Sequence, residues 1–136
     1  MRWLSLRNEI KRHLIRCFFE SYKNQNFHVK ASETQPFHIV GHSAEYVRLG
    51  GEFPSRAVEP LLVTLSPGQI QEQVFSHPGE EFNYILEGAA IFNVDNKEYY
   101  VRSGETIHFP SILPHYLANP LQQNCKIICV LTPVIF

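Results

Sequence analysis

From residue 37 onward, turn-forming residues interrupt the chain about every ten positions, a spacing that leaves no room for crossover helices between strands. The punctuators are Gly50-Gly51, Ser66-Pro67-Gly68, Pro78-Gly79, Gly88, Asp95-Asn96, Ser103-Gly104 and Pro120. Between them lie runs rich in β-branched and aromatic residues: Glu45–Leu49, Pro60–Leu65, Ile70–Phe75, Phe82–Leu86, Ala89–Val94, Glu98–Arg102, Glu105–Phe109, His115–Ala118 and Lys126–Leu131. The pattern predicts an all-β body, an antiparallel sandwich or barrel. Eight or nine strands in about 100 residues suit a jelly-roll barrel, whose lumen is where a small ligand or metal would sit.

The first thirty residues follow a different period. Trp3, Leu6, Ile10, Leu14, Phe18 and Tyr22 recur at steps of three and four, which predicts one apolar face of an amphipathic helix. Residues 1–30 carry a net charge of +5 and residues 31–136 a net charge of −6. A basic amphipathic helix can lie on an anionic membrane, serve as a partner's target or resemble a mitochondrial presequence; Glu9 and the low Ser content count against the last. The plainer reading is that the apolar stripe packs on the body of the protein or on a second subunit. The expected division is therefore a basic helix and connector over 1–30 and a barrel over 37–136.

Composition narrows the function classes. At 136 residues the chain suits one ordinary domain, and a net charge of −1 argues against a dedicated nucleic-acid binder. Thirty residues are too few for a complete helix-turn-helix domain, so direct DNA binding by this chain alone is not expected. No apolar run reaches the ~18 residues of a membrane span. The cysteines are three in number, and Cys125 and Cys129 share one face of a strand too far apart to bridge. A reduced, cytoplasmic protein is expected.

Of seven histidines, His77 and His115 stand out. His13, His28, His38 and His42 read as surface or turn residues, and His108, between two apolar neighbours, faces away from the lumen. In His77-Pro78-Gly79-Glu80-Glu81, Pro then Gly suits the centre of a type II turn, which folds His77 back toward Glu81. His115, following Pro114, can add a second imidazole from a later strand. Two imidazoles and one carboxylate form a facial triad with open positions, suited to Fe(II) and able to hold Mn, Ni, Co or Zn.

These residues also fall into two motifs. His77, Glu81 and Gly88 fit the spacing of the first cupin motif, and Gly104, Pro110, His115 and Asn119 fit the second. Over about residues 45–133 the chain thus resembles the cupins, which implies a double-stranded β-helix barrel. It departs from their pattern at three places. Phe75 replaces the first histidine, Ile112 replaces a glycine, and Gly68 stands seven positions before Phe75, one out of place. A four-ligand His3Glu site is thereby excluded unless another residue substitutes, and His77, Glu81 and His115 remain. The runs SHPGEEFNYILEG and FPSILPHYLANP are most similar to the sensor domains of helix-turn-helix cupin transcriptional regulators. The His-x3-Glu with a later His also resembles a cupin epoxidase that binds Fe(II). The family implies a homodimer.

Strand alternation sends Asn83 and Ile85 to the same side as Glu81, and Phe82, Tyr84 and Leu86 to the other. Asn83, Ile85 and Phe75, the last forming an aromatic wall, are therefore the candidate ligand-binding residues. Three functional readings follow: a small-molecule-binding domain of the regulator-sensor type with a divalent metal, an Fe(II) oxygenase or metal-assisted isomerase, and a scaffold without metal. The first is favoured, because no lumen-directed Lys, Arg or Tyr can be named as a substrate clamp.

Overall fold

A computed structural model describes residues 7–12, 25–70 and 74–134. The chain divides into two compact units, Met1–His28 with Gly51–Arg56, and Val29–Gly50 with Ala57–Phe136. In the first, residues 7–12 are helical and exposed, Ile10 included; the rest of the expected Trp3–Tyr22 helix lies outside the described residues. Asn26 and Glu52 exchange backbone hydrogen bonds of 3.1 and 2.7 Å, and Phe27 meets Phe53 edge-on at 5.9 Å. No helix among the described residues is long and apolar enough to cross a membrane.

Among the described residues the second unit is a jelly roll of nine strands: β1 Pro36–Phe37, β2 Glu45–Arg48, β3 Glu59–Leu65, β4 Glu80–Glu87, β5 Ala89–Val94, β6 Lys97–Arg102, β7 Thr106–Pro110, β8 His115–Ala118 and β9 Cys125–Thr132. One sheet runs β1-β2-β3-β9-β4-β7 and the other β6-β5-β8, with every pairing antiparallel. The period of two seen in the sequence is the period of burial. Leu61, Val63 and Leu65 of β3 face inward, as do Cys125, Ile127, Cys129 and Leu131 of β9. They join Phe92, Val94, Val101 and Leu117 of the other sheet in one core. Each large apolar side chain removed from water there contributes about 1.5–3 kcal/mol. Asp95 and Asn96 both take positive φ, 51° and 65°, as the tight β5–β6 hairpin requires.

Two elements differ from expectation. The run Ile70–Phe75 is not a ladder strand among the described residues. Ile70 bridges Ala118 and Phe75 bridges His115, each alone, while residues 71–73 lie outside the description. Strand β1 was not expected, because two residues carry no alternation to read. Pro36 is tolerated there because β1 lies at the sheet's edge.

Asn119 fastens the end of β8. Its Nδ2 lies 3.2 Å from the Leu65 carbonyl, 3.0 Å from that of Ser66 and 2.7 Å from that of Gln123, while Oδ1 accepts the Leu121 N–H at 3.0 Å. One buried amide thus ties the exit of β3 to the β8–β9 connection.

Candidate metal centre and its cavity

Three elements converge on one point. β4 carries Glu81 inward as its second residue, β8 opens with His115, and the loop before β4 supplies His77. The loop is held at both sides: the Phe75 N–H donates to the His115 carbonyl at 2.8 Å, and the His77 N–H donates to Ser111 at 3.0 Å. Gly79 then turns the chain into β4 with φ of +103°. A Cβ at that position would overlap the Thr132 carbonyl, so only glycine lets the two backbones approach.

Among the described residues, His77, Glu81 and His115 form the one group of three donors placed to share a cation, their ligand atoms all within 4.8 Å of one another. Nε2 of His115 lies 3.6 Å from Oε1 of Glu81, and Nε2 of His77 lies 4.0 Å from the same oxygen. Each imidazole has its other nitrogen against a backbone carbonyl: His115 Nδ1 at 2.7 Å from Leu113 O, and His77 Nδ1 at 3.1 Å from Pro78 O. Those carbonyls can only accept, so Nδ1 carries the hydrogen and Nε2 presents a lone pair in the neutral ring. In the neutral rings two lone pairs and a carboxylate oxygen then face each other, an arrangement that a proton or a metal ion among them relieves. Small side-chain rotations would bring all three to the ~2.1 Å bonds of a first-row metal. The donor set therefore fits a divalent ion.

The electrostatics agree. Burial of His115 opposes its charged form. The adjoining Glu81 carboxylate and the Leu113 carbonyl favour the charged form, outweigh that and raise its pKa from the ordinary histidine value. Positive charge is favoured where the three donors meet.

The donors form one wall of a cavity of about 290 Å³, lined elsewhere mainly by apolar side chains such as Leu61, Val63, Leu117, Ile127 and Leu131. Phe75 lies on this wall, its ring 6.2 Å from that of His115. Asn83 also lines the cavity, but its Nδ2 donates to Oε2 of Glu81 at 3.1 Å instead of waiting for a ligand. Ile85 faces the same side as Glu81 and is fully buried, yet it is packed into the core and is not among the lining residues; its cross-strand partner Ile127 is. His108 is exposed beside Glu80 at 3.3 Å, on the outer face.

His42 was missed. Expected as a surface or turn histidine, it lines the cavity, with Nδ1 2.8 Å from the Tyr46 hydroxyl and its ring 4.3 Å from Phe75. A loop residue has no periodicity to betray its direction. The available signal was Tyr46, four residues on, at an inward position of β2.

Comparison with known proteins gives the chain a family and relatives. Residues 61–131 match the cupin domain family. The HTH-type transcriptional regulator PuuR of Escherichia coli is 28% identical over 83 residues, 61% of this chain and 45% of that protein. The chain thus spans under half of that curated relative. An RmlC-like cupin from Shewanella frigidimarina superposes with a TM-score of 0.67 at 19% identity, over 82% of this chain and 95% of that one. The cupin domain of an XRE family transcriptional regulator from Enterobacter cloacae superposes with a TM-score of 0.55 at 17% identity, over 62% of this chain and 90% of that one.

Proposed function

Because this chain belongs to the cupin domain family, with relatives among transcriptional regulators, we propose that its barrel is a small-molecule-binding domain of the regulator-sensor type. In this reading His77, Glu81 and His115 hold one divalent transition metal, and Asn83 and Phe75 line the ligand site beside it. The observation that carries it is the convergence of three donors, tautomers fixed, on the wall of a largely apolar cavity. A divalent ion there would supply a local positive charge that anchors an oxygen donor of the ligand. A sensor is preferred to an oxygenase or isomerase because, among the described residues, no Lys or Arg lines the cavity to clamp a substrate. The proposal further takes residues 1–30 as a basic lead to a barrel over 37–136, the protein as cytoplasmic and the assembly as a homodimer. Two free, buried cysteines among the described residues are consistent with a reducing compartment.

Elemental analysis of protein purified without chelator tests this. About one equivalent of a first-row metal per chain is expected, and His77→Ala and His115→Ala should each lose it while retaining the strand signature in circular dichroism. Unchanged occupancy in either variant would refute the centre.

A further inference from the structure

The cavity has a second polar end. His42 and Tyr46 come from the loop before β2 and from β2 itself, whereas the metal donors come from β4, β8 and the loop before β4. The Phe75 ring neighbours both groups, 4.3 Å from the His42 ring and 6.2 Å from the His115 ring. Tyr46 is buried and stacks on Phe37 at 5.7 Å, which fixes the hydroxyl that holds His42 Nδ1. With Nδ1 occupied, Nε2 of His42 is the ring atom available to a ligand. We propose that His42 and Tyr46 form a hydrogen-bonding pole opposite the metal, so that the ligand class is a small monocarboxylic acid bearing a hydroxyl or carbonyl group at the far end of a short apolar body.

Each part of that description follows from a part of the wall. A divalent ion with one carboxylate and two neutral imidazoles keeps a net positive charge, which a single carboxylate neutralises in a cavity of low dielectric. Leu61, Val63, Leu117 and Leu131 are among the remaining lining residues and disfavour a charged or highly polar body. Burial lowers the pKa of His42, so this end is uncharged at neutral pH and pairs with a neutral group. Through the shared hydrogen with Tyr46, Nε2 either donates or accepts, and hydroxyl and carbonyl groups meet those two states. The volume, about 290 Å³, equals roughly ten water molecules of the liquid and limits the ligand to about one ring or a short chain.

The inference rests on the metal reading above, and matched probes separate the two. Benzoate, phenylacetate and phenylpropanoate are titrated calorimetrically, each against its para-hydroxy analogue, into Mn(II)-loaded protein whose metal content is measured in the same preparation. Wild type should bind the hydroxylated member of at least one pair about tenfold more tightly. His42→Ala should bring that ratio close to one, and Tyr46→Phe, which removes a single hydroxyl, should lower it severalfold, with metal content unchanged in both. A ratio near one for every pair in wild type, or a ratio preserved in both variants, overturns the inference while leaving the metal centre standing. Loss of metal from His42→Ala would place that residue in the metal centre and also overturn it. Failure of wild type to take up metal overturns the metal reading, and the inference with it.

Discussion

The side-chain amide of Asn83 donates to Oε2 of Glu81 at 3.1 Å, and both residues are buried. The hydrogen bond settles which carboxylate oxygen does what: Oε2 is held by the amide, and Oε1 is the oxygen nearest both imidazoles. In the proposed metal centre Asn83 would therefore act as a positioning residue, and Glu81 would ligate through one oxygen.

Removing that amide should loosen the carboxylate without removing it. Partners of this kind typically cost 10–100-fold in metal affinity when mutated. Asn83→Leu is expected to weaken Mn(II) or Zn(II) binding by about that factor, read by competition with a chromophoric chelator. Wild-type affinity in the variant would mean that Glu81 needs no such support.

Asn119 is predicted to matter for folding. Asn119→Ala leaves the Leu65, Ser66 and Gln123 carbonyls and the Leu121 N–H without the amide that meets them. Each buried polar group left unpaired costs about 1–3 kcal/mol, so a loss of about 3 kcal/mol or more is expected in urea unfolding. A loss below about 1 kcal/mol would show that water replaces the amide freely.

Stability should fall in alkali for a stated reason. Burial pushes the Cys125 thiol up to about 11, and burial, then the nearby Glu81 charge, pushes Cys129 up as well. A thiol whose pKa is higher in the folded chain than in the unfolded one favours the folded chain fully below the unfolded value. That advantage is lost as pH rises from about 9 toward 11, because the unfolded chain ionises first. Urea midpoints should decline across that window and decline less in Cys125→Ser measured beside wild type. In the native protein at pH 8 neither thiol should react with a disulfide reagent until the chain unfolds. Prompt reaction would contradict the burial.

Much of this architecture was legible because burial alternates with the same period as the sequence. β3 and β9 bury every second residue along their length, so their inward residues could be named from the chain. His77 and Glu81 were legible for a local reason, since Gly79 bends the chain between them with positive φ where a Cβ would overlap Thr132. What escaped depends on contacts distant in sequence. Phe75 is held by a single bridge to His115, forty residues on, which a run of apolar residues renders indistinguishable from a full strand. His42 is placed by a loop, and nothing along the chain says that its ring turns inward to Phe75. Asn83 was read as facing the cavity, which it does, but its bond to Glu81 belongs to rotamers, which alternation does not specify.

If His77, Glu81 and His115 share one metal ion, anomalous scattering from crystals grown with Mn(II) will locate it among them. A single strong peak is predicted about 2.1 Å from Nε2 of His77, Nε2 of His115 and Oε1 of Glu81. A map with no peak at that point, or with its strongest peak elsewhere in the barrel, would contradict the account.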